Sequence, residues 1–171
     1  DAWKRYSSAG KWYYEVVAPG YKYNMTDVQA ALGLCQFKRL EQFIERREEI
    51  CQRYDRAFAA LDSITTPFVG ADCRHSRHLY PILVDEAQLR IDRAQFIDAL
   101  RAENIGTSVH FIPVHLHPFY REKFGYNRGD FPVAESIYDR LISLPLYPHM
   151  SDRDVDDVIA AVERIALQNA N

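Results

Sequence analysis

The chain has 171 residues, 47% of them apolar and 26% charged, with a formal net charge of −3. That length suits one domain or a large part of one, and the apolar fraction supports a packed core rather than disorder. The slight negative balance argues against a nucleic-acid or anionic-membrane surface, and no apolar run approaches the roughly 18 to 20 residues of a transmembrane helix.

The chain opens on Asp1-Ala2-Trp3-Lys4-Arg5-Tyr6. No basic stretch leads into an apolar one, so no signal peptide is expected, and the opening reads as an entry into the middle of a longer protein. Residues 1–25 are crowded with aromatics (Trp3, Tyr6, Trp12, Tyr13, Tyr14, Tyr21, Tyr23) and broken by the turn signal Pro19-Gly20. Aromatics without helical period suggest a segment pressed against a partner subunit, a ligand or another part of the protein.

Thr26, with Gln29 three residues on, forms a capping box, and Asp27 suits the positive end of the helix dipole. Apolar residues then recur at helical spacing: Val28, Ala31, Leu32, Cys35, Leu40, Phe43, Ile44, Ile50, Cys51, Tyr54, Phe58, Leu61. The spacing predicts one long connecting helix over 26–62, with Glu45-Arg46-Arg47-Glu48-Glu49 as a solvated face of local charge pairs. Residues 62–76 read as a loop. His78 to Val84 reads as a buried strand, in which Pro81 calls for an edge or a bulge. Asp92 N-caps a second helix that ends through a left-handed cap at Asn104-Ile105-Gly106. A strand over Thr107 to Phe111, a loop from Pro113 to Pro118, a short helix near Phe119 and a loop over Gly125 to Asp130 come next. Phe131 to Leu141 fits a helix with Pro132 near its first turn. Ile142 to Leu146 fits a short strand. Ser151 caps a last helix with Val155, Val158, Ile159, Val162 and Ile165 as its buried stripe. These elements describe an α+β layer, a small sheet packed with helices.

The three cysteines, Cys35, Cys51 and Cys73, include no C-x-x-C. Cys35 and Cys51 lie on the predicted long helix, about 24 Å apart and beyond disulfide reach, so all three read as reduced core thiols in a cytoplasmic protein.

Dinucleotide-fingerprint, Walker and H-E-x-x-H patterns are absent, as is a G-x-S-x-G elbow. Three clusters remain. Gly20 to Asp27 sets polar side chains ahead of a helix N-terminus, where free N–H groups favour an anion such as phosphate; Lys22 would add a charge and Asn24 a donor. A plain capped turn accounts for the same residues. His110-Phe111-Ile112-Pro113-Val114-His115-Leu116-His117-Pro118 holds three histidines after a strand. Polar contacts to a substrate and a structural loop of satisfied imidazoles both fit, whereas no acidic or cysteine ligand nearby completes a metal set. Leu144-Pro145-Leu146-Tyr147-Pro148 reads as a turn into the last helix.

The run G-Y-K-Y-N-M-T-D-V-Q-A-A-L-G from Gly20 to Gly33, with Gln36 and Leu40, closely resembles the DegT/DnrJ/EryC1/StrS family of PLP-dependent sugar aminotransferases. Arg46-Arg47 with Tyr54, His78-Leu79-Tyr80, His110 to His115, and Leu144 to Pro148 with Ser151-Asp152 follow in the family's order. The resemblance implies the C-terminal small domain of a fold-type-I aminotransferase. Residues 1–25 would end the large domain, 26–62 would form the connecting helix and 63–171 the small α+β domain. It also implies that the Schiff-base lysine lies upstream, because Lys4, Lys11, Lys22, Lys38 and Lys123 are all outside the family's lysine motif. No catalytic residue is therefore expected in this chain, which by itself would be inactive.

By the same resemblance the protein is a homodimer with active sites at the subunit interface. Lys22 and Asn24 would touch the phosphate of pyridoxal 5'-phosphate (PLP), and Tyr23, His110 and His115 would contact a nucleotide sugar; no metal is implied. His117 falls outside the family pattern. The family's commoner form has Asn at Lys22 and Arg at Asn24, and the K-Y-N form resembles a branch acting on UDP-4-keto pentoses. The implied reaction moves an amino group, usually from L-glutamate, to a keto sugar nucleotide in the cytoplasm. The resemblance also admits a second reading, a lysine-less sensor, regulatory or dimerisation domain of the same fold without transaminase activity, since some family members that lost the lysine act as sensors or dehydratases.

Overall fold

The computed structural model describes Val16 and residues 18–171. The chain falls into two units, Asp1–Lys38 and Arg39–Asn171. Of the aromatics expected to pack in the opening segment, Trp3, Tyr6, Trp12, Tyr13 and Tyr14 lie outside the described residues, while Tyr21 and Tyr23 are exposed.

In the first unit the capping box forms as expected and starts helix α1, Asp27–Phe37. Thr26 Oγ1 accepts the Gln29 N–H at 3.4 Å, and Gln29 Oε1 accepts the Thr26 N–H at 2.9 Å. Apolar residues leave α1 in several directions (Val28, Leu32, Leu34, Phe37), and all of these are exposed.

The second unit runs α2 (Leu40–Phe58), β1 (Ile64–Thr65), β2 (Tyr80–Val84), α3 (Arg93–Ala102), a 3-10 turn (Val114–Leu116), α4 (Pro118–Phe124), α5 (Pro132–Arg140), β3 (Leu141–Leu144) and α6 (Asp152–Gln168). The strands form an antiparallel sheet in the order β1-β2-β3. Tyr80, Ile82 and Val84 alternate into the core, as a strand with one well-covered face should. They meet Ile50, Tyr54 and Phe58 of α2, Phe96 and Leu100 of α3, and Val155, Val158, Val162 and Ile165 of α6 in one buried cluster. The unit is an α+β layer, as the element order implied.

Five expectations change in detail. The helix foreseen from Thr26 to about Leu61 is two helices, parted by a turn at Lys38–Arg39. The pattern itself changes there: α1 has no buried stripe, whereas α2 buries Ile50, Cys51, Tyr54 and Phe58 along one face. Cys35 and Cys51 thus sit on different helices, and only Cys51 is in the core; Cys35 and Cys73 are exposed, and all three thiols are free.

Pro81 lies in the central strand rather than at an edge. The Asp85 N–H bonds Ser63 O at 2.8 Å. Strand alternation therefore turns the Pro81 nitrogen toward β1 as well, and β1 has already ended opposite Leu83. A missing donor there costs no ladder bond. Finally, Thr107–Phe111 supplies a single bridge, Ser108 to Ser143, instead of a strand.

The charged stretch of α2 is also more than a solvated face. Arg46 donates to Met150 O and Asp152, both at 2.9 Å, and Arg53 donates to Asp152 at 2.9 Å and Asp156 at 2.5 Å. Two guanidinium groups thereby clasp the start of α6, where Asp152 in the first turn also suits the helix dipole. Glu48 takes Arg77 Nε at 2.7 Å and Nη2 at 3.2 Å. This fork holds Arg77, buried and at a left-handed φ of 49°, just before β2.

Candidate functional site

The histidine segment is placed by β3 and by the start of α5. Ser143, in the middle of β3, exchanges both backbone hydrogen bonds with Ser108, at 2.7 and 3.2 Å. This bridge delivers the chain to His110 two residues later. There the imidazole Nδ1 lies 2.9 Å from the Ser143 Oγ. Ser143 is buried and His110 is half-buried, so one ring nitrogen is anchored inside while the ring as a whole reaches the surface. The ring of Phe111 packs edge-on against it, centroids 4.6 Å apart.

His115 is held differently. The 3-10 turn Val114–Leu116 carries it inward until it is 7% exposed, and its Nε2 lies 2.8 Å from Glu135 Oε1. Glu135 enters with α5, which starts at Pro132, a residue suited to the first helical position because it lacks the N–H that would go unpaired there. Its two carboxylate oxygens accept the Gly129 N–H at 2.9 and 2.8 Å, and Oε1 accepts the Phe131 N–H at 3.2 Å. Gly129 has φ = 103°, a conformation costly for any residue with a Cβ. Burial pushes the Glu135 carboxyl up. The Gly129 N–H, the His115 imidazole and the Phe131 N–H outweigh that and hold it below its ordinary range. Facing an ionised carboxylate, His115 Nε2 carries a proton and donates it.

Beside this pair a cavity of about 480 Å³ is lined by His115, Tyr120, Phe124, Tyr126, Phe131 and Pro113, among others. The rings stack and tilt against one another from Tyr120 through Phe124 and Tyr126 to Phe131 and His115, at centroid separations of 4.6 to 6.0 Å. The cleft takes flat or apolar groups, with imidazole and phenol at its wall.

Lys22, Tyr23 and Asn24 precede the α1 N-terminus and are exposed, Tyr23 to 84%. They belong to the other unit. The structure brings His110 together with Ser143 and His115 together with Glu135, 33 and 20 residues apart in sequence. Neither partner was foreseen. The one available signal for Glu135 was a carboxylate in the first turn of a Pro-initiated helix, following a Gly-rich turn. His117 is exposed and caps α4 without a side-chain bond. Among the described residues no group of three or more His, Cys, Asp or Glu is placed to hold a metal ion. No helix among them is long and apolar enough to cross a membrane.

The model of the DegT/DnrJ/EryC1/StrS aminotransferase family matches residues 2–163. Spore coat polysaccharide biosynthesis protein SpsC of Bacillus subtilis is 59% identical over 165 residues, which is 96% of this chain and 42% of that protein. Among solved structures, Spr1654 of Streptococcus pneumoniae in its PMP form superposes with a TM-score of 0.81 at 33% identity, over 98% of this chain and 41% of that one. Helicobacter pylori PseC, an aminotransferase involved in the biosynthesis of pseudoaminic acid, superposes with a TM-score of 0.78 at 27% identity, over 90% of this chain and 41% of that one. The chain spans less than half the length of the relatives it matches. The ordered motifs, the α+β layer and a match over nearly every residue agree, and the chain belongs to the DegT/DnrJ/EryC1/StrS aminotransferase family.

Proposed function

We propose that this chain is the C-terminal part of a PLP-dependent nucleotide-sugar aminotransferase. It would serve the transfer of an amino group from an amino acid, L-glutamate being the expected donor, to a keto sugar nucleotide. The observation that carries the reading is the His110–His115 segment: two imidazoles, each anchored through one ring nitrogen, the second of them in the wall of an aromatic cleft. Such an arrangement offers a ligand one held polar atom, the free ring nitrogen of His110, and around His115 a flat wall for a base or sugar ring. In this reading His110 and Tyr23 contact the substrate through their polar atoms, and His115 contacts it through the ring edge it presents to the cleft.

The head of α1 fits a phosphate monoester by its chemistry. Lys22 supplies an ammonium group, Asn24 an amide, and the first-turn N–H groups not used by the capping box add further donors. PLP, when bound, supplies the electron sink for the amino-group transfer. The residues of this chain bind and orient; the lysine that carries the cofactor is assigned to a part of the protein outside residues 1–171. A homodimer in which the Lys22–Asn24 loop serves the neighbouring subunit's site, a cytoplasmic location and a role in cell-envelope polysaccharide synthesis complete the proposal. The role of SpsC in spore coat polysaccharide biosynthesis supports the last of these.

Incubation with PLP, borohydride reduction and intact mass test the reading. An adduct is expected on a polypeptide of the relatives' full length and none on residues 1–171. An adduct on neither favours a lysine-less sensor of the same fold. An adduct on this chain overturns the assignment.

A further inference from the structure

The two imidazoles are tied down through opposite nitrogens: His115 through Nε2 by a carboxylate, and His110 through Nδ1 by a hydroxyl. A carboxylate leaves no choice of proton position, because it only accepts. A hydroxyl can donate or accept, so the state of His110 depends on what else the Ser143 hydroxyl can do.

Ser143 is 4% exposed. Its backbone N–H and carbonyl are both consumed by Ser108, which fixes the strand and the direction of Cβ. Among the described residues, His110 Nδ1 is the one hydrogen-bond partner of the Ser143 Oγ. Were Nδ1 to carry the proton and donate it, the serine O–H would be a buried donor without an acceptor. Were the serine to donate, only lone pairs would be left over, and a buried acceptor short of a partner is the more readily tolerated of the two.

We propose that Ser143 is a positioning residue: its hydroxyl donates to His110 Nδ1, fixes the neutral imidazole with its proton on Nε2, and so presents an N–H donor to the substrate. This rests on the reading of His110 as a substrate contact. The chemistry served is an oxygen acceptor, such as the keto or hydroxyl oxygen of the sugar or a diphosphate oxygen. The neutral ring with its proton on Nδ1 would offer these a lone pair and repel them.

The test is the pattern of imidazole 15N chemical shifts and ring-proton couplings of His110 in the intact chain, at a pH where the ring is neutral. A protonated Nε2 and bare Nδ1 are expected. A proton on Nδ1, or an even mixture of tautomers, overturns the proposal in the wild-type protein, before any variant is made. In Ser143→Ala, judged folded by an unchanged backbone amide spectrum, the tautomers should mix; an unchanged pattern also overturns it. Ser143→Thr, which keeps the hydroxyl, should restore the Nε2 form.

In the full-length enzyme, Ser143→Ala should raise KM for the keto sugar nucleotide about fivefold, the value of one hydrogen bond, with a smaller change in kcat. The tautomer pattern needs no substrate. A correct pattern in a protein without transaminase activity would therefore sink the aminotransferase reading and leave the role of Ser143 standing, while the wrong pattern in an active enzyme would do the reverse.

Discussion

Glu135 shows what was hidden at the scale of single residues. A glutamate among Pro132, Val133, Ala134 and Ser136 looks like ordinary helix surface, yet it is buried and collects three N–H donors. Proline and glycine chemistry announced the turn and the helix start. The long-range approach of His115 had no local signal. Because the folded carboxyl lies below its ordinary range, its contribution to stability is present above the unfolded value of about 4.3 and is lost as pH falls through the folded value. Glu48, held down first by Arg77, acts in the same direction. Thermal melts from pH 7 to pH 3 should therefore show Tm falling on the acid side, and Glu135→Gln should lower Tm at pH 7 by several degrees while flattening that acid limb. Cys51 is a second case. Burial pushes its thiol up to about 12, whereas Cys73 is exposed. Because the thiolate is the reactive form, maleimide at pH 7.5 should label Cys73 in the native chain and reach Cys51 only on addition of denaturant, as peptide mapping would reveal.

Elements were legible where their signals are local. Thr26, Asp92 and Ser151 each N-cap a helix as expected, and of the apolar stripe of α6 Val155, Val158, Val162 and Ile165 are buried and Ile159 half-buried. Ser151→Ala should destabilise the unit by about 1 kcal/mol, read as a lower urea midpoint at unchanged slope. Illegible were the elements that exist only through their partners. The two residues of β1 have no pattern of their own, and Thr107–Phe111, read as a strand, meets β3 only at the bridge of Ser108 to Ser143. The link from α2 to the segment after β3 is likewise tertiary: the Tyr54 hydroxyl donates to Pro145 O at 3.0 Å from a fully buried ring. Tyr54→Phe should cost about 1 kcal/mol in denaturant titrations, the net worth of one part-buried hydrogen bond.

For the molecule as a whole, ordered motifs were a better guide than composition, since family and fold class follow from five short matches in sequence, whereas charge and hydropathy only narrowed the field. The first unit carries Lys22 and Asn24 on exposed chain. In the full-length protein, Lys22→Ala should weaken PLP retention about tenfold, the worth of one charge-assisted hydrogen bond, and Asn24→Ala measured beside it by equilibrium dialysis would rank the two donors. The sheet of the second unit adds a point about solubility. Its middle strand outruns β1, and an uncovered stretch of strand invites pairing with a strand from another copy of the chain. At Pro81 such a strand would meet a pyrrolidine ring in place of an N–H, so the residue that looked misplaced in a central strand denies edge-to-edge aggregation a foothold where the sheet is one strand short.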